Sequence, residues 1–184
     1  MNTRALSAAL LSAACFLLPA CAHSHQARVA DLATQVSDPS FVGRWQSSAG
    51  RIAEVKPSGN TGYTVTMTDG SESKTYDVDL LDVNGKRMIE IAVHEPRGKG
   101  QVPVYMYGRL DISGNNITYS RLRNEWLERT AKATPGVVYK STSEVQANTG
   151  GVVVRDAAQM HELLEKAAND PTAFGSPEQG HRIK

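Results

Sequence analysis

A two-residue alternation of apolar and polar side chains between residues 41 and 144 constrains the fold of this chain most strongly. From Tyr63 to Thr68 every second residue is apolar and the residues between are threonines. Because successive side chains of a β-strand point to opposite faces, this pattern predicts strands with one buried and one solvated face. The same spacing recurs in Tyr76, Val78 and Leu80; in Ile89, Ile91 and Val93; in Val104, Met106, Leu110 and Ile112; in Ile117 and Tyr119; and in 137–139.

Turn-forming dipeptides separate these apolar rows. Asp69-Gly70 and Asn84-Gly85 are typical of tight hairpins, because Asn, Asp and Gly tolerate the positive φ angles of such turns. With segments 41–47 and 51–56 the pattern predicts about eight short strands, joined mostly as hairpins. We therefore predict a mainly β protein with an antiparallel meander, either closed into a barrel or folded as a sandwich.

Two segments with helical spacing interrupt the strand pattern. Residues 124–132 are good helix formers and predict a short helix inserted between two strands. Asp156 with Gln159 forms a capping box for a C-terminal amphipathic helix, which Asn169-Asp170-Pro171 ends. We expect that helix to pack outside the sheet or to plug an open end. Its apolar stripe consists of Ala157, Met160, Leu163, Leu164 and Ala167.

The first 20 residues predict a secretory signal peptide. Arg4 is their only charge, and the apolar run at 5–18 is shorter than the roughly 20 residues that span a bilayer. Leu18-Pro19-Ala20-Cys21 then resembles the lipobox of bacterial lipoproteins. That resemblance implies cleavage after Ala20 and lipid attached to Cys21, so that the membrane is a partner.

The cysteine count agrees with a lipid at Cys21. The chain has two cysteines, and cleavage would remove Cys15 and leave Cys21 alone. The alternative is a Cys15–Cys21 disulfide in a retained segment. In lipoproteins, Ala22 after the cysteine implies sorting to the outer membrane. We expect an exported protein, lipid-anchored to the envelope at the periplasmic face of the outer membrane.

Charge and length bound the function of the mature chain. Removing residues 1–20 takes away Arg4 and no acid, which leaves 19 basic and 19 acidic side chains. A nucleic-acid binder normally has a basic excess, so no nucleic-acid partner is predicted. The predicted organisation is a signal peptide (1–20), a lipidated N-terminus with a flexible tether (21–40), one β-barrel domain with its C-terminal helix (41–174) and a disordered tail (175–184).

Gly43-Arg44-Trp45, at the start of the first strand, resembles the G-x-W signature of the lipocalins. The resemblance implies an eight-stranded barrel that carries small apolar ligands, with Gly43 and Trp45 at its floor. The late arginine that covers this Trp in the family would be Arg121 or Arg123. The layout of 41–174 is similar to that of small bacterial lipoproteins with a lipocalin-like barrel, a resemblance that implies no particular activity.

No catalytic constellation is recognisable in the sequence. The expectation is therefore a non-enzyme without a cofactor. His161-Glu162-Leu163-Leu164-Glu165 departs from the zinc motif H-E-x-x-H at its last position, so no metal site is predicted. Instead, Glu162 and Lys166 are predicted to pair on a solvated helix face.

Four cations are candidate contacts for a ligand: Arg97 and Lys99 in the Gly-rich segment 95–101, and Arg121 and Arg123 near a strand end. At the mouth of a barrel they would bind a phosphate or carboxylate while the apolar interior takes a tail. The first functional hypothesis is therefore binding of a small amphipathic ligand. The second is an interaction module for an envelope protein, with a filled barrel and an exposed apolar patch.

Overall fold

The computed structural model describes residues 28–32, 35–93, 104–141, 152–154 and 156–184, and it shows a closed antiparallel β-barrel. The signal peptide, Cys21, Arg97 and Lys99 lie outside the described residues. The barrel strands are β1 (Gly43–Ser47), β2 (Ile52–Ser58), β3 (Gly62–Asp69), β4 (Glu72–Val83), β5 (Lys86–Val93), β6 (Val104–Ser113), β7 (Asn116–Arg121) and β10 (Glu178–Ile183). Around the barrel their order is β1-β10-β7-β6-β5-β4-β3-β2.

The alternating rows predicted from the sequence line the inside of the barrel. In the register of the sheet, Val65 lies opposite both Val55 and Tyr76, and Ile89 lies opposite Leu80. Nine buried side chains form this interior core: Phe41, Trp45, Val55, Tyr63, Val65, Val78, Leu80, Ile89 and Leu110. The prediction of an antiparallel barrel of about eight strands is therefore confirmed, and of the two closures left open the chain adopts the barrel.

A second core lies outside the barrel, where helices cover one wall. Leu81, Met88 and Tyr107 point outward from β4, β5 and β6 and pack against the buried stripe of a helix. The covering elements are α1 (Asn124–Ala133), α2 (Ala157–Asn169) and a separate two-stranded sheet of β8 (Tyr139–Ser141) and β9 (Val152–Val154). The inserted helix and the C-terminal amphipathic helix are thus confirmed, and Asp156 caps α2 by accepting a hydrogen bond from the Gln159 N–H (2.9 Å).

The described segments before β1 pack on the barrel from Arg28 onwards, and we call residues 28–32 and 35–42 the N-terminal strap. Val29 in the 3-10 turn Val29–Leu32 is fully buried against the outer core. The Val36 N–H donates to the Leu80 carbonyl (2.9 Å), and the turn Pro39–Phe41 then buries Phe41. The prediction that the tether stays flexible up to residue 40 is wrong for this part, because the strap buries apolar side chains in both cores.

The prediction of a disordered tail over 175–184 is also wrong, and it changes the identity of the closing strand. Residues 178–183 form β10, which pairs with β1 on one side and with β7 on the other. The segment 137–139, predicted as the eighth strand, instead contributes its last residue to β8. Closure of the barrel therefore depends on residues 178–183.

Among the described residues, neither helix reaches the length and apolar character needed to cross a membrane.

Deleting residues 178–184 should abolish cooperative unfolding, because it removes the backbone hydrogen bonds along β1 and β7 at once. Circular dichroism during thermal unfolding measures the effect. Deleting Lys184 alone, which is exposed and follows β10, is the control and should leave the transition within a few degrees of the full chain. A sharp transition in the longer deletion would contradict the role of β10 as the closing strand.

Candidate functional site

Trp45 closes the floor of the barrel under a guanidinium from the last strand. Trp45 is buried and its indole Nε1 donates to the Phe41 carbonyl (2.9 Å). The guanidinium carbon of Arg182 lies 4.2 Å from the centre of the indole, in the range of a cation–π contact. Arg182 also donates to the carbonyls of Val42 (2.6 Å) and Ser40 (2.5 Å). One arginine thus joins β10, the Trp and the N-terminal strap.

The position of this arginine corrects the assignment made from the resemblance. Arg121 or Arg123 was expected to cover Trp45, but Arg182 does so, in a segment predicted to be disordered. The register explains the outcome, because Arg182 on β10 lies directly opposite Trp45 on β1.

Gly43 is required by the same contact. It has φ +134°, which L side chains rarely adopt, and a Cβ atom there would overlap the Arg182 Nη1. The glycine and the tryptophan of the G-x-W motif therefore serve one purpose, since the first makes room for the cation that stacks on the second.

The strap seals the floor next to this stack. Phe41 meets Tyr63 edge to face, with ring centres 5.0 Å apart and the planes at 76°. The Tyr63 hydroxyl accepts a hydrogen bond from the Asp38 N–H (2.6 Å), and Asp38 is paired with Arg87. This end of the barrel is consequently closed by side chains of the strap.

Towards the other end, the interior becomes partly accessible. Since β1 starts at the floor, the β1–β2, β3–β4 and β5–β6 connections all lie at the opposite end of the meander. Apolar side chains near these connections pack against the buried interior core and keep partial exposure, namely Ala53, Met67, Tyr76 and Ile91. Tyr119 is half-buried further down the wall, and Ile112 and Ile117, also half-buried, flank the β6–β7 turn on the floor side.

Arg121 is the candidate ligand contact that the structure places on the interior face. Ile117 and Tyr119 of the same strand belong to the interior core, so alternation directs Arg121 inward. Its Nε is buried and has no hydrogen-bond partner among the described residues. Glu178, which the register places beside Tyr119, is engaged by Arg51 at 2.8 Å. The interior therefore contains a guanidinium N–H without an acceptor.

Arg123 is not brought to the same place. It is exposed, and it precedes α1 as the N-cap residue, with its N–H donating to the Ala173 carbonyl (2.8 Å). Leu122 between the two arginines belongs to the outer core. Arg123 therefore lies at the exposed start of α1, outside the interior core that Arg121 faces.

The sequence pattern missed a buried polar cluster on the outer wall, which we call the strap cluster: Arg28, Asp79, Glu90 and Tyr107. Arg28 is ion-paired with Asp79 and lies 3.5 Å from Glu90, measured from Nε to Oε1. Glu90 Oε2 accepts hydrogen bonds from the Tyr107 hydroxyl and the Val29 N–H, both at 2.7 Å. The sequence contains one indication of this cluster. Asp79 and Glu90 are each two residues from an apolar residue, Leu81 and Met88, so each acid lies on the same strand face as a buried side chain.

Burial raises the pKa of Glu90, although the hydrogen bonds from Tyr107 and Val29 lower it, and the neighbouring charge of Asp79 adds to the rise. Burial and the nearby Glu90 likewise raise the pKa of Tyr107 well above its usual range. Both shifts mark this as a place where negative charge is costly.

No group of three or more metal-ligating side chains occurs in the described part of the chain. His161 faces Glu165 at 3.6 Å on α2, and the predicted pair of Glu162 with Lys166 is present at 2.8 Å. No protein-family model matches this chain, and neither a curated protein nor a solved structure gives a significant match.

Replacing Arg182 with Lys should lower the free energy of unfolding by about 2 kcal/mol, because Lys loses the planar stack and one of two charged hydrogen bonds. Urea unfolding followed by circular dichroism measures the change. Arg44→Lys, on the exposed face of β1, is the matched control and should shift the value by less than about 0.5 kcal/mol. Equal effects of the two substitutions would show that the stack on Trp45 adds nothing to stability.

Proposed function

We propose that this protein is a bacterial envelope lipoprotein that binds a small amphipathic ligand inside its barrel, at the end opposite the Trp45 floor. The ligand's apolar part would contact the half-buried interior side chains, and an anionic group would pair with Arg121. The observation that carries the proposal is the buried Nε of Arg121, an interior donor without an acceptor among the described residues. A carboxylate or phosphate oxygen is the group that such a donor binds most strongly.

The shape of the barrel supports access from one end. The floor is sealed by Phe41, Trp45 and Tyr63, all buried, so a ligand has to come from the end opposite. The connection between β5 and β6 joins that end, and the sequence places Arg97 and Lys99 in it. These two cations would add to the attraction of an anionic group, as the sequence suggested.

The membrane anchor is the second part of the proposal. The lipobox-like segment that ends at Cys21 supports lipid attachment there, and Arg28, seven residues later, is already held on the barrel wall. Lipid at Cys21 would keep the barrel beside the outer membrane, within reach of molecules that partition between membrane and water. Stable anchoring needs more than one acyl chain, and bacterial lipoproteins supply it.

The alternative, an interaction module with a filled barrel, requires an exposed apolar patch. In the described residues Val138 is the sole large hydrophobic side chain that is exposed, at 58%. Isolated apolar residues are ordinary on protein surfaces, whereas docking sites have contiguous apolar area. The carrier function is therefore the better supported of the two.

Arg121→Gln should weaken binding of a dansyl-labelled fatty acid about tenfold, because the carboxylate loses the charged donor that Arg121 would supply. Fluorescence titration of the purified full chain measures this, and native mass spectrometry of protein from its own host reveals any ligand already bound. Arg123→Gln, at the exposed N-cap of α1, is the matched control and should bind as the unmodified protein does.

Equal affinity of the two variants for the fatty acid would show that Arg121 does not contact the ligand. Absence of binding, together with a bare mass from the host, would instead favour the filled barrel and direct the search to crosslinked protein partners.

A further inference from the structure

The N-terminal strap is held on the barrel wall by a cluster with more acidic than basic groups. Asp79 and Glu90 are paired neighbours on β4 and β5, and both lie against the single guanidinium of Arg28. Asp79 is 5% exposed and Glu90 is 1% exposed, so water screens neither carboxylate effectively. In the part of the chain that the structure describes, Arg28 is the cation that contacts both buried carboxylates.

The two oxygens of Glu90 have different surroundings. Oε2 accepts the hydrogen bonds from Tyr107 and from the Val29 N–H of the strap. Oε1 is buried and accepts no hydrogen bond from the described residues, with the Arg28 Nε at 3.5 Å as its cationic neighbour. A proton can therefore be added at Oε1 without displacing either donor at Oε2.

We propose that the strap and a proton bind cooperatively to the barrel wall, with Oε1 of Glu90 as the proton site, so that the strap is held more tightly as the pH falls. The proton would remove one of the two buried negative charges. Arg28 would then balance Asp79 alone, and the Val29 contact would be retained. When the strap leaves, water reaches Glu90 and the carboxylate can ionise without this penalty.

The groups around Glu90 are consistent with a single titrating site. β4 contributes Asp79, β6 contributes Tyr107 with Tyr105 near it, and the strap contributes Arg28. The helix α2 packs on the strap with apolar buried side chains, namely Met160, Leu163, Leu164 and Ala167. His161 and Glu165 of that helix face each other.

The direction of the pH dependence follows from linkage. Burial raises the pKa of Glu90 when the strap is docked, so the docked form binds the proton more tightly than the released form. The contribution of this proton to docking is complete below the ordinary pKa of a glutamate and is lost as the pH rises through the raised value. Between those two limits, docking weakens by up to about tenfold per pH unit.

Docking of the strap would set the distance between the barrel and the membrane, a consequence that depends on the proposed lipid at Cys21. With the strap docked, at most seven residues, about 25 Å when fully extended, separate Cys21 from the wall. With the strap released as far as Pro39, the span grows to about 65 Å. A proton at Glu90 would thus shorten the tether.

Hydrogen exchange with mass spectrometry on the full chain purified from its host tests the coupling. After correction for the intrinsic rate, the opening of residues 28–32 and 35–36 should rise with pH in the unmodified protein. In Glu90→Gln, which imitates the protonated carboxyl, it should stay at the low-pH value throughout. Glu54→Gln, at an acid on β2 that is paired with Lys56, is the matched control and should keep the full trend.

A pH-independent strap in the unmodified protein, or an unchanged trend in Glu90→Gln, would overturn the proposal.

Arg28→Gln provides a second test that does not depend on the folding of Glu90→Gln. Loss of this cation should move the transition to higher pH and loosen the strap. Amides of residues 63–67 serve as the internal reference, because a trend there would indicate global opening instead. Exchange does not require lipid, so a failure of the anchor, visible in the intact mass, is distinguished from a failure of the proton site.

Discussion

The stack of Arg182 on Trp45 is the contact on which the rest of the fold depends. It joins the first and last strands of the barrel across a separation of 137 residues, and the same guanidinium holds the carbonyls of the strap that seals the floor. Burying a cation is normally expensive, and here the indole face and two carbonyls replace the water that Arg182 loses. Gly43 leaves the space in which this replacement happens.

The second constraint is that the wall formed by β4, β5 and β6 is buried on both sides. Leu80 and Ile89 point into the barrel, whereas Leu81 and Met88 point out into the helical layer. A wall of this kind cannot slide in register without exposing one core, because a shift of one residue exchanges the two faces. The helices and the strap therefore stabilise the half of the barrel against which they pack.

Much of this architecture follows from the sequence. The interior rows around Val65, Val78 and Ile89 have the two-residue period that a half-buried strand requires. The capping box of Asp156 and Gln159 predicts the start of α2. The outer core is harder to recognise, since β4 changes within one strand from alternation to the continuous apolar pair Leu80-Leu81. A strand buried on both faces has apolar side chains on both, so the alternation of apolar and polar residues disappears. The sequence then does not indicate which face points into the barrel and which points to the helices.

The closing strand could not be recognised from its pattern at all. The interior positions of β10 are Glu178, Gly180 and Arg182, so the face that a strand normally marks with apolar residues is polar here. Position 180 favours glycine because the Ile117 side chain and the Gln46 backbone leave little room for a Cβ atom there. The candidate site shows the same limit, because Arg121 was chosen for its charge and strand end, while its lack of a partner is a property of the folded barrel.

The location of β10 has a consequence for how the protein is made. A chain whose barrel is closed by residues 178–183 has two unpaired strand edges, on β1 and β7, until that segment has been made and has paired. Pairing of the chain ends is the most non-local step in the fold, and such contacts form late because long loops must be closed first. Until residues 178–183 pair, the open edges of β1 and β7 can bond to strands of another chain, so the partly folded barrel is the state most prone to aggregate.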